Sequence, residues 1–141
     1  MNKKGDTEMD RIKKADELHS KGYNCAQAVA CAYCDLFNAD EKEVFRMMEA
    51  YGLGMGDMKC TCGAVSGMVT LAGLKNSDAN LEAPKTKGST YKIAKELTAD
   101  FRERIGSVIC ADIKGVETGT PMKSCKTCIA EAAKIVEEKL L

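Results

Sequence analysis

Apolar residues recur along the chain at helical spacing, three and four positions apart, and no useful length alternates with period two. That pattern predicts helices and no strand. From Asp6 to Lys21, Met9, Ile12, Ala15 and Leu18 form one stripe on a charged segment, an N-terminal surface helix within residues 1–21. Gly22 ends it, Asn24 is placed to cap the next, and Cys25 to Phe37 is apolar almost all round, as expected of a central helix. At 100° per residue, Cys25 shares a face with Ala28, Val29, Ala32 and Leu36; Cys31 and Cys34 lie opposite and suit packed thiols. After the break at Asn38-Ala39-Asp40, Glu41 to Tyr51 carries Val44, Phe45, Met47 and Met48 as its apolar face. A further helix runs from Cys62 to about Lys75, and residues 76–90 form a polar loop. Ile93, Ala94, Leu97, Phe101 and Ile105 mark a helix from Tyr91 until Gly106 stops it. A short turn from Val108 to Ile113, capped by Ser107, leads to a second loop over 115–124. Ser124 then caps a last helix, Cys125 to Leu141, with Ile129, Ala132, Ala133, Val136 and Leu140 inward. The expectation is an all-α fold, one domain over 1–141, with five or six helices packed as a bundle.

Between the third and fourth predicted helices lies GLGMGDMKCTCGAVSG, residues 52–67. Gly52, Gly54 and Gly56 suit a tightly turning backbone or the close approach of another group. Thr61 is a candidate N-cap that sets Cys62 on the first turn, and Gly63 and Gly67 leave room beside it. A bland account of the same stretch is a close helix–helix contact beside two buried thiols, Cys60 and Cys62.

Charge removes some function classes. Lys plus Arg and Asp plus Glu both number 21, so no excess charge argues for nucleic acid or an anionic membrane surface. No apolar run approaches the ~20 residues of a membrane span, and the opening MNKKGDTEMDRIKKADE has no apolar signal core. A cytoplasmic location is therefore expected, where thiols stay reduced. Eight cysteines there point to metal binding or redox chemistry rather than to a disulfide framework. No phosphate loop, dinucleotide fingerprint or catalytic triad motif is present, so no organic substrate is argued. The eight methionines suit core filling, and Glu41-Lys42-Glu43 and Arg102-Glu103-Arg104 suit solvated faces. The lone histidine, His19, sits near a helix end where a cation is favoured.

The cysteines acquire a pattern once the caps are marked. Three directly follow a capping residue, in Asn24-Cys25, Thr61-Cys62 and Ser124-Cys125, and Cys110 comes three residues after Ser107. Helix starts present free N–H groups and a partial positive charge, which stabilise an anion by roughly 0.3–1 kcal/mol. Thiol pKa values there fall from ~8.5 toward ~3.5–7.5, and the thiolate is the metal-ligating and nucleophilic form. Four such thiolates gathered together would repel one another without a cation or oxidised pairs.

These pieces resemble the C_GCAxxG_C_C family, named for its own motif and linked to redox activity. The matching blocks are Gly22-Tyr23-Asn24-Cys25-Ala26-Gln27-Ala28-Val29, Gly54-Met55-Gly56, Cys62-Gly63-Ala64-Val65-Ser66-Gly67, Cys110-Ala111-Asp112-Ile113-Lys114-Gly115, and Cys125 ahead of Glu131 to Glu138. The resemblance implies a helical domain whose four family cysteines, Cys25, Cys62, Cys110 and Cys125, bind a metal or iron–sulfur cluster or change redox state. Gly54, Gly56, Gly63 and Gly67 would accompany them at the cofactor. A similar domain accompanies haem in split-Soret cytochromes, but this chain has no Cys-x-x-Cys-His, so covalent c-type haem is not expected. The chain departs from the pattern in carrying Cys31, Cys34, Cys60 and Cys128 as well. Either cysteine of Cys125-Lys126-Thr127-Cys128 could be the family's last one, although the helical tail fits Cys125 better.

Three functions stay open at this point. One is a cysteine-ligated iron–sulfur or other metal centre for electron transfer or redox sensing, working with an unidentified redox partner protein and possible as a homodimer. Another is a thiol–disulfide oxidoreductase using Cys125 and Cys128. The third is a structural zinc domain, with Cys60 and Cys128 as further ligands, or a redox-inert interaction module.

Overall fold

The computed structural model describes residues 10–141, so the expected helical start at Asp6 and the placement of Met9 lie outside the described residues. Seven right-handed helices follow: α1 (Arg11–Ser20), α2 (Cys25–Tyr33), α3 (Glu41–Met48), α4 (Gly63–Asn76), α5 (Lys87–Ile105), α6 (Cys110–Lys114) and α7 (Cys125–Lys139). Two 3₁₀ turns extend α2 and α3, over Cys34–Phe37 and Glu49–Tyr51. The fold is all-α, but the count of five or six falls short. The segment expected to be only a short turn closes helical bonds, with the Ile113 N–H donating to the Ile109 carbonyl across 3.0 Å, and Gly115 ends it at φ +70°.

Helix α2 is the centre, as its all-round apolar sequence requires: Ala26 to Tyr33 are buried without exception. Its main partner is α4, which meets it through small residues. A Cβ on Gly67 would lie 2.6 Å from the Ala26 carbonyl oxygen, and one on Gly63 3.1 Å from the Ala26 nitrogen. Only a side chain of hydrogen lets the two backbones come this close. Around this pair, α1, α3 and α7 cover α2, while α5 packs on α4 and α7. The apolar stripe of α7, Ile129, Ala132, Ala133, Val136 and Leu140, is buried as its spacing requires. On α3 Val44 and Met48 face inward, but Met47 is 54% exposed, so the apolar face is narrower than its spacing suggested.

An ion pair between buried Arg11 and exposed Asp35 fixes α1. Arg11 reaches Asp35 at 2.7 Å and the Ala32 carbonyl at 2.8 Å, tying α1 to the end of α2. The loop expected over 76–90 is shorter, because α5 starts at Lys87 rather than Tyr91. Its first turn is polar, invisible to apolar periodicity, and Asn76 anchors it through Ser89 and Thr90 at 2.8 and 2.9 Å. No described helix is long and apolar enough to cross a membrane.

The glycine stretch folds as a left-handed turn. Leu53, Gly54, Met55 and Gly56 all have positive φ, at 56°, 56°, 62° and 91°. For Leu53 and Met55 that conformation costs about 1–2 kcal/mol each. It is held by Gly56 N–H to the Gly52 carbonyl at 3.0 Å and Met58 N–H to the Leu53 carbonyl at 2.8 Å.

Candidate redox site

Cys25 opens α2 under a complete capping box. The Gln27 N–H donates to the Asn24 side chain, and the Gln27 side chain accepts from the Asn24 N–H, each at 2.9 Å. Asn24 also donates to the Glu49 carbonyl at 2.8 Å, so the helix start is locked to the end of α3. Cys125 opens α7 in the same way, with the Thr127 N–H donating to Ser124 Oγ at 3.1 Å.

Cys62 departs from its expected place. It is itself the N-cap of α4, not the first residue behind a Thr61 cap. The cause is a long-range pairing: Thr61 forms an isolated antiparallel bridge with Ile109, the Cys62 N–H donates to the Val108 carbonyl at 2.7 Å, and the Cys110 N–H donates to the Cys60 carbonyl at 2.9 Å. Residues 60–62 are thereby extended, and the helix begins one position later. The same pairing seats Cys110 as the first residue of α6, where the cap position belongs to Ile109 and not to Ser107. Ser107 instead accepts the Ile109 N–H at 3.0 Å. Gly54 packs against Cys110, where an added Cβ would meet the Cys110 Cβ at 2.5 Å.

Five of the eight cysteines line one cavity of about 500 Å³: Cys25, Cys62, Cys110, Cys125 and Cys128. Cys60 is exposed and stays outside, turning only its carbonyl toward Cys110. Cys31 and Cys34 are buried in the core away from the cavity, as expected. Of the glycines singled out, Gly63 lines the cavity. Gly67 serves the α2–α4 contact, Gly54 the approach to Cys110, and Gly56 has nothing within 4 Å and is required by its φ.

Within the cavity, Cys25 and Cys125 bias each other's ionisation, as do Cys62 and Cys128. Cys25, with the Lys114 ammonium 3.3 Å away and His19 nearby, holds the Cys125 thiol down at about 5 against the cost of burial. Cys128 and the Ala64 and Val65 amides at the start of α4 lower Cys62 to about 7. Their partners shift the opposite way: Cys25 and Cys128 are pushed up by Cys125 and Cys62 and by burial, and burial also raises Cys110.

The rest of the lining is one-sided in charge. Among the described residues Lys114, Lys123 and His19 border the cavity and no Asp or Glu does; Leu53, Ile113 and Pro121 supply its apolar walls. Lys114, Lys123 and Leu53 were not singled out from sequence. Lys114 sits inside the Cys110–Gly115 block, but its contact with Cys125 depends on how the following loop returns.

Five sulfur donors without a carboxylate fit a soft metal or an iron–sulfur cluster by their chemistry. In the described residues no three His, Cys, Asp or Glu side chains stand as a closed ligand set around one point. Comparison with curated proteins and with solved structures gave no match. Residues 23–139 match the family model described as "putative redox-active protein (C_GCAxxG_C_C)". The chain belongs to the C_GCAxxG_C_C family.

Proposed function

We propose that this protein is redox-active through a thiolate-held metal or iron–sulfur centre in the five-cysteine cavity, serving electron transfer or redox sensing with a partner protein in a reducing compartment. One observation carries this reading: Cys25, Cys62, Cys110 and Cys125, far apart in sequence and each at the start of a different helix, open on the same cavity. Two thiols suffice for disulfide chemistry, and packing alone gives no reason to gather four at helix starts. Cys25, Cys62, Cys110 and Cys125 would hold the group, with Cys128 as a further sulfur beside Cys62. When bound, such a centre supplies one-electron chemistry at a potential set by its surroundings.

The chain's own residues set those surroundings. The Ala64 and Val65 amides at the start of α4 hydrogen-bond the Cys62 sulfur and favour its anionic form. Lys114 donates to Cys125, and Lys123 adds positive charge, which offsets the negative charge of gathered thiolates. Leu53, Ile113 and Pro121 limit the approach of water. Zinc could take the same donors, giving a structural site instead.

Anaerobic purification followed by iron, zinc and acid-labile sulfide analysis, with a visible spectrum, tests the proposal. Iron with a broad visible absorption that bleaches reversibly on reduction is expected. Zinc without a redox wave, or no bound metal in protein never exposed to air, contradicts it.

A further inference from the structure

Leu53, Met55 and Met58 are held at positive φ, 56°, 62° and 70°, a conformation that L side chains rarely adopt. Such strain persists where the surrounding structure enforces it, and it gathers at functional sites. Here hydrogen bonds enforce it, with the Met58 N–H on the Leu53 carbonyl at 2.8 Å and the Ala111 N–H on the Met58 carbonyl at 2.7 Å. Burial does not offset it, since Leu53 is 47% and Met55 50% exposed. Leu53 stands in the wall of the cysteine cavity. Tyr51 and Met55 line a second groove of about 420 Å³, with Val65, Val69 and Ala94. One turn thus carries exposed apolar side chains at two openings, and Met47 extends the group. Single exposed apolar residues need no explanation, but a group of them beside a reactive cavity marks a contact surface.

The charge at the same place selects what covers it. Lys114 and Lys123 border the cavity mouth and, among the described residues, no Asp or Glu does. Glu49 and Asp57 flank the turn in sequence but line neither opening. The whole chain balances 21 basic against 21 acidic side chains, so the positive field is local to the mouth. A second copy docked two-fold over it would set these lysines against the same lysines. We propose that the turn over residues 51–55 and the lysine-flanked mouth form the docking face for an acidic electron-carrier protein. An apolar patch on the carrier covers Leu53 and Met55, and carboxylates around that patch meet Lys114 and Lys123, an apolar centre within a polar rim. This rests on the redox role assigned to the cavity above and adds the chemistry of its partner. Docking at this mouth sets the carrier over the cavity that the five cysteines line.

The test uses the full chain, purified without oxygen and assayed both as isolated and after metal removal with a chelator. A small acidic ferredoxin is the probe and basic cytochrome c the control, with binding measured by calorimetry at low and at physiological ionic strength. Ferredoxin should bind, roughly tenfold more weakly at the higher salt, and cytochrome c should not bind. Leu53→Asn is the deciding variant, because asparagine tolerates left-handed backbone. It should resist urea at least as well as the wild type and yet bind ferredoxin roughly tenfold more weakly, a split that a purely structural role for Leu53 would not produce. Lys123→Glu, at an exposed position, should weaken binding in the same way. Absence of ferredoxin binding, binding that ignores salt, or wild-type affinity in both variants overturns the proposal. Self-association that Leu53→Asn abolishes, in protein that ignores ferredoxin, overturns it in favour of a second copy. Iron measured in the same preparations separates the two claims. Iron-bearing protein that ignores ferredoxin sinks the docking face alone, and variant-sensitive ferredoxin binding in protein that never held metal sinks the metal centre alone.

Discussion

The Lys114 ammonium donates to the Cys125 sulfur across 3.3 Å, joining the end of α6 to the start of α7. Loop residues 115–124 lie between them, and Gly115 makes their return possible: a Cβ there would lie 2.4 Å from the Thr120 carbonyl carbon. A cation thus reaches the one cavity thiol held near pH 5.

Removing that cation should slow Cys125. A thiol with a depressed pKa stays ionised as pH falls to that value, so alkylation of reduced, metal-free protein should hold steady from pH 8 to 6 and decline near 5. In Lys114→Met the decline should begin at higher pH, with a roughly tenfold lower rate at pH 6, because a hydrogen bond to a charged group contributes about 1.5–3 kcal/mol. Lys114→Arg should recover most of the rate. Iodoacetamide kinetics at Cys125 across this range measure it, and superimposable wild-type and Met profiles would exclude the role.

Gly67→Ala should destabilise the fold by about 1–3 kcal/mol, since its Cβ would press on the Ala26 carbonyl at 2.6 Å, backbone that cannot give cheaply. Gly73→Ala, on the same helix with nothing within 4 Å, is the control and should be neutral or slightly stabilising. Urea unfolding of both variants decides whether α2 and α4 are packed as closely as described.

The fold was largely legible because apolar spacing and caps are local signals. Asn24 and Ser124 cap the helices they were expected to cap, placing Cys25 and Cys125 at first positions. Failures came where a distant partner decides. The cap of α4 shifted from Thr61 to Cys62 because residues 60–62 pair with 108–110, a contact no local pattern announces. For the same reason Cys128 enters the cavity and Cys60 does not, although both stand near a family cysteine in sequence. The start of α5 was missed because Lys87 to Thr90 carry no apolar period and are held by Asn76 instead.

Cys31 and Cys34 should prove structural. Both are 1% exposed in the core, so replacing the pair with Ala should cost about 1–3 kcal/mol on thermal or urea unfolding. Metal content and reduction potential should stay at the wild-type level, because neither thiol borders the cavity. Loss of metal from this double variant in otherwise folded protein would mean that the site extends beyond the five cysteines.

The central claim is that the cavity thiols hold a redox centre, and Cys62→Ser against Cys60→Ser tests it most directly. Serine is a good N-cap, so Cys62→Ser keeps the start of α4 while removing a sulfur from the cavity. Cys60→Ser removes an exposed sulfur two residues away. Both variants and the wild type are purified anaerobically, and iron per chain is measured with the visible spectrum and protein film voltammetry. The account predicts iron and a reversible wave in the wild type, the same in Cys60→Ser, and loss of both in folded Cys62→Ser. Iron retained at the wild-type level in Cys62→Ser, or lost from Cys60→Ser, would contradict it.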